Sequence, residues 1–149
     1  MMDCDICDGP MVVKEATIAR PYHYTLSGLK NAYLAGIEIR ECPKCKIESP
    51  IIPRIAGLHD LIQKILVSKP ALLTGDEIRF LRKNAGFSAK EFAEIIDETP
   101  SHLSRVERGK TSSLGAQADK LVRAIATVAS DHQAKDHQGT RDVLLQSVC

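Results

Sequence analysis

The stretch GFSAKEFAEIIDETPSHLSRVERGK, residues 86–110, reads as two short helices joined by a few residues. Ser88-Ala-Lys-Glu91 is a capping box, in which hydroxyl and carboxylate each satisfy a backbone N–H left open by the first turn. Phe87 and Phe92 staple that start, and Phe92, Ile95 and Ile96 form its buried side. Thr99 is placed to N-cap a second helix with Pro100 at its first position, where an absent N–H costs nothing. Leu103 and Val106 then face inward, and Gly109 stops the helix. Two helices of this size and separation fit a helix-turn-helix.

With Leu103 and Val106 turned to the core, Ser101, His102 and Arg105 project outward, and Ser101 and Arg105 share a face at i, i+4. An outward arginine can donate two hydrogen bonds to guanine O6 and N7, and a serine can serve base or phosphate. Arg108 and Lys110 at the far end can neutralise phosphates. These five residues are the candidate DNA contacts. A plain bundle with a solvated polar face would carry the same caps, so the pattern alone leaves that reading open.

Outward from this stretch the punctuation continues. Thr74-Gly-Asp-Glu77 is another capping box, stapled by Leu73 and Ile78. Its helix is expected to bury Ile78, Leu81 and Ala85 and to close at Gly86. A last helix, roughly 114–129, is expected to bury Leu121, Val122, Ile125 and Val128. Upstream, Ile55, Leu58, Leu61, Ile62, Ile65 and Leu66 recur at helical spacing between Pro53 and Pro70. This connecting helix should dock on one domain or pair with a copy of itself. His59 beside the stripe reads as a structural histidine.

The front of the chain carries a different chemistry. Of five cysteines, Cys4, Cys7, Cys42 and Cys45 form C-x2-C, a spacer of 34 residues, and C-x2-C. Each pair can present two thiolates from one turn, and two such turns build a tetrahedral S4 shell of the kind structural zinc takes. A redox couple would need a thioredoxin-like βαβ frame, which the pattern lacks, and a disulfide sits poorly in a reducing compartment. Four sulfurs leave no open position, so the expected Zn2+ is structural rather than catalytic. Gly9 and Pro43 suit tight turns, and His23 between two tyrosines reads as a strand residue. The spacer holds two strand-like runs, 11–19 and 32–41, and SPIIP at 49–53 is expected to break the sheet.

Composition fits a chain in two parts. Its 149 residues suit one domain or two small ones, 44% apolar content argues against disorder, and 4% aromatic content with no Trp argues against one large core. No run of about 18 apolar residues could span a membrane. The acidic start MMDCDICDG lacks a signal-peptide pattern, so a cytoplasmic location is expected. The net charge of +1 includes no basic block, so DNA binding would rest on a few placed side chains. No H-E-x-x-H signature or Ser/His/Asp set points to an enzyme.

The expected fold is therefore α+β. A zinc-binding β domain spans 1–50, a connecting helix and linker 51–72, a helix-turn-helix bundle 73–129 and a tail 130–149. In the tail, His132 and His137 read as solvated, DVLLQSV could pack locally, and Cys149 reads as a free thiol.

On these residues the chain resembles known families. GFSAKEFAEIIDETPSHLSRVERGK, with its element Ser104-Arg105-Val106-Glu107-Arg108-Gly109, resembles the XRE (Cro/C1-type) helix-turn-helix. CDIC, PYHYTLSGLKNAYLAGIEIRECPKC and the helical connector extend the likeness to MqsA-type antitoxins, a YgiT-type zinc finger followed by an XRE domain. The resemblance covers about residues 1–129. It implies zinc on Cys4, Cys7, Cys42 and Cys45, and base reading by Arg105. It also implies a homodimer on palindromic double-stranded DNA, and a zinc domain that neutralises a ribonuclease (mRNA interferase) toxin. Ser101 stands where MqsA has a base-contacting Asn, and Ala89 where many XRE domains have Gln. Glu107 is expected to be structural. A stand-alone regulator without a toxin, and an adaptor that uses the zinc finger for protein contacts, are the alternatives.

Overall fold

The computed structural model describes residues 2–137, with side-chain surroundings defined as far as Asp131. Its contacts divide the chain into two compact units, Met1–Ile55 and Ala56–Cys149. The fold is α+β: a small antiparallel sheet with a cysteine cluster, then five helices.

In the first unit, β1 (Val12–Glu15), β4 (Glu38–Glu41) and β5 (Glu48–Ile51) form a three-stranded antiparallel sheet in the order β1-β4-β5. Val12 pairs with Glu41 and Glu38 with Ile51. A two-stranded ribbon, β2 (Tyr22–His23) with β3 (Tyr33–Leu34), lies within the spacer. Both expected strands are shorter than their runs of β-forming residues. The first stops at Glu15, leaving Ile18 almost fully exposed. The second is interrupted by Gly36, whose positive φ of 74° turns the chain between β3 and β4. SPIIP does not break the sheet: Ser49, Pro50 and Ile51 belong to β5. That strand pairs on one side only, and an edge strand tolerates a proline because no neighbour needs its N–H.

Buried apolar residues in this unit are few: Cys4, Ala16, Tyr24, Leu29, Ile39 and Cys42. So small a core supplies little hydrophobic stabilisation for some fifty residues, and two of its six members are cysteines.

The second unit holds α1 (Ile55–Val67), α2 (Gly75–Asn84), α3 (Ala89–Ile95), α4 (Pro100–Glu107) and α5 (Ala116–His137), α1 beginning at the boundary. Its core joins Leu73, Ile78, Leu81, Phe92, Ile96, Leu103, Val106 and Val122. Both capping boxes form, and Thr99 accepts from the His102 N–H with Pro100 leading the helix. Gly86 and Gly109 take the positive φ that ends α2 and α4.

α1 belongs to this unit. Gln63, 2% exposed, donates to the Ala126 carbonyl at 2.6 Å and accepts from Asn84 at 2.6 Å. The Arg123 guanidinium donates to the carbonyls of Val67, Lys69 and Ala71, while Asp119 accepts both from Arg123 and from the Leu73 N–H. His59 packs edge-on against Phe80, a structural histidine as expected.

Several burial expectations change. Phe80 and Ala93 are buried, while Ile95 is 49% exposed and Ala85 only half-buried. On α5 the inward positions are Ala118, Val122 and Ala126, a close-packing stripe, whereas Leu121 and Val128 are exposed. The helix also runs past the expected 129, to His137. The side chains of His132 and His137, the DVLLQSV segment and Cys149 lie outside the described residues.

Candidate metal centre and nucleic-acid interface

The four N-terminal cysteines come together on two turns of the same construction. In the first, the Cys4 N–H donates to the Gly9 carbonyl at 2.9 Å and the Asp8 N–H donates to the Cys4 carbonyl at 2.8 Å. In the second, the Cys42 N–H donates to Ile47 at 3.0 Å and the Lys46 N–H to Cys42 at 2.8 Å. Each turn reverses at the residue after its second cysteine, Asp8 with φ 52° and Lys46 with φ 62°. The left-handed residue is thus Asp8 rather than Gly9. Asp tolerates that conformation better than most residues, which is the signal a sequence reading could have used.

All four Sγ atoms lie within 4.8 Å of one another, and none is in a disulfide. The closest contacts run between the turns, Cys4 to Cys45 at 3.5 Å and Cys7 to Cys42 at 3.4 Å. Cys4 and Cys42 are buried, Cys7 is half-buried and Cys45 is exposed. The backbone prepares one sulfur for the thiolate form: N–H donation from Cys45, with help from Cys7 and Lys44, brings Cys42 down to about 6 despite burial. Cys7 is pushed up to about 12: donation from the Gly9 N–H lowers it, but proton sharing with Cys42, burial, and the Cys45 and Cys4 thiols together raise it. One sulfur disposed to lose its proton beside another holding one is what crowded thiols show before a cation replaces their protons. The donor set and spacing fit a metal ion held by four sulfurs. His23 stands apart: its Nε2 contacts the Lys30 carbonyl at 3.0 Å and its ring stacks on Tyr33.

On the second unit, α3 and α4 pack against each other across a turn at Asp97, whose φ is 57°. Leu103 and Val106 are fully buried and fix the roll of α4. Ser101, Arg105, Arg108 and Lys110 are exposed. Neither Arg105, Arg108 nor Lys110 has an ion-pair partner among the described residues. His102 is half-buried, and its Nδ1 lies 2.7 Å from a Glu98 carboxylate oxygen. Glu107 is 8% exposed and faces inward in a two-point pair with Arg82. Glu98 went unnoticed in the sequence reading, although its i, i+4 spacing to His102 is a visible signal.

A family model described as "Helix-turn-helix" matches residues 78–127, a span holding α3 and α4 with parts of their neighbours. Comparison with curated proteins gives no match. No described helix is long and apolar enough to cross a membrane. The matched family is one of DNA-binding regulators, not of enzymes. The chain therefore carries an XRE-type helix-turn-helix, the domain of DNA-binding transcription regulators, behind a four-cysteine cluster able to hold a metal ion.

Proposed function

We propose that this chain is a dimeric, sequence-specific repressor whose N-terminal unit folds around structural zinc. One observation carries the reading: Arg105 stands exposed, with no ion-pair partner among the described residues, on the capped helix α4 within the helix-turn-helix match. Arg105 reads a guanine edge, Ser101 contacts a base or phosphate on the same face, and Arg108 and Lys110 hold phosphates. Exposed Leu121 and Val128 on α5 support pairing with a second copy. Two such copies place their α4 helices about one helical turn apart, which demands a palindromic operator.

An S4 donor set suits zinc, and four protein ligands leave the ion no position for substrate. When bound, the ion supplies a cross-link between two turns that a six-residue core joins weakly. The succession of cysteine-cluster β unit and XRE domain supports an antitoxin acting in the cytoplasm, with the front unit neutralising a ribonuclease toxin and the back unit repressing the operon. Half-buried Ala89 at the start of α3 offers no amide to a phosphate, which favours the second reading of a protein-contact adaptor.

Footprinting on the DNA upstream of its own gene separates these readings. A protected palindrome is expected, with Arg105→Ala costing about 1–3 kcal/mol of operator affinity. Undiminished affinity in that variant defeats the role of Arg105. A small ribonuclease co-purifying from the native host would support the antitoxin role, and its absence the stand-alone regulator.

A further inference from the structure

The Glu98–His102 contact bears on which bases the helix selects. His102 lies in the first turn of α4, three residues before Arg105, so the two side chains are neighbours on the helix surface. Glu98 lies just before the helix, with its side chain 22% exposed against 30% for His102. An ionised carboxylate can only accept hydrogen bonds, so the proton in the 2.7 Å contact belongs to Nδ1. The ring is then fixed in orientation and tautomer, with Nε2 directed away from Glu98. No other partner for the His102 ring exists among the described residues.

We propose that His102 is a specificity-determining residue of the recognition helix and that Glu98 is its positioning residue. In the neutral ring, a proton held on Nδ1 makes Nε2 an acceptor. In the major groove only adenine, through N6, and cytosine, through N4, present an amine to an acceptor, while guanine and thymine edges present further acceptors. His102 therefore selects adenine or cytosine at a position beside the guanine read by Arg105. Without Glu98 the imidazole is free to turn and to exchange tautomers, and the preference disappears although His102 remains. This inference rests on the DNA-binding reading.

The test uses the full-length, metal-loaded protein at pH 8 and fixed salt, selecting from randomised duplexes. Wild type is expected to prefer adenine or cytosine at that position by about fivefold, the lower end of a single-base effect. His102→Ala and Glu98→Ala should both lose this preference while keeping the guanine that Arg105 reads. A purely structural role would weaken all duplexes alike and leave the preference intact, which overturns the proposal. Absence of sequence-selective binding by wild type overturns the DNA-binding reading as well; selective, Arg105-dependent binding with the preference unchanged in both variants overturns this inference alone. Ring-nitrogen NMR of the wild-type chain tests it without relying on the folding of Glu98→Ala. The signal missing from His102→Ala should show its proton on Nδ1, and a neutral ring protonated on Nε2 overturns the positioning role.

Discussion

Arg82 and Glu107 meet inside the helical unit as a two-point pair, Nε to Oε1 at 2.7 Å and Nη2 to Oε2 at 3.1 Å. The remaining guanidinium nitrogen donates to the Phe87 carbonyl at 3.0 Å. α2, the start of the α3 capping structure and the end of α4 are thereby tied at one point. Removing one partner leaves a buried charge without compensation. Arg82→Met or Glu107→Ala should each cost about 3–5 kcal/mol in denaturant unfolding of the helical unit. Removing both should cost less than the two single losses together.

Gly75 is required by space rather than by conformation. A Cβ built there would lie 1.9 Å from the Val106 carbonyl oxygen, at the end of α4. Backbone cannot yield as a flexible side chain can, so Gly75→Ala should destabilise the unit by about 2–3 kcal/mol. Because the displaced element is α4, operator affinity should fall in proportion even at temperatures where the variant remains folded.

Metal removal should act on one unit. All three tyrosines, Tyr22, Tyr24 and Tyr33, lie in the first unit and the chain has no Trp, so tyrosine signals report that unit alone. Chelation should collapse the near-ultraviolet tyrosine signal while far-ultraviolet helix dichroism persists, since the helices have their own caps and core. Parallel loss of both signals would contradict that independence.

Acid should loosen the start of α3. The Glu91 carboxyl is held below its ordinary 4.5, first by the Ser88 backbone N–H and then by the Ser88 hydroxyl. Folding lowers its proton affinity, so its stabilisation is complete above the unfolded value. It is lost as pH falls through the lower, folded value. Glu91→Gln should therefore lose less stability than wild type between pH 6 and pH 3, measured by urea midpoints.

Arg108 and Lys110 should behave differently from Arg105. Replacing either with Ala should weaken binding to specific and random duplexes alike and reduce the slope of log affinity against log salt by about one. A changed base preference in either variant would mean that it reads bases.

Short-range chemistry made the helical half legible. Thr74 with Glu77, Ser88 with Glu91, and Thr99 with Pro100 declare themselves within four residues, and each forms as expected. Burial on α5 was not legible, because alanines at 118 and 126 permit a close approach that larger residues cannot, which leaves Leu121 and Val128 outside. Pro50 suggested a break because only pairing shows that β5 is an edge. The cysteine spacing announced a cluster, but the matching turns at Asp8 and Lys46 depend on backbone angles that residue types only hint at. Arg82 and Glu107 are 25 positions apart, beyond any local pattern.

The Arg123 guanidinium grips the main chain of Val67, Lys69 and Ala71, not their side chains. That short strap is consequently held by its length and not by its spelling. Apart from Lys69, whose Nζ pairs with the buried Glu77 carboxylate at 2.9 Å, substitutions within it should pass almost silently, whereas deleting a single residue would drag α1 out of step with α5 and pull Gln63 from its seat.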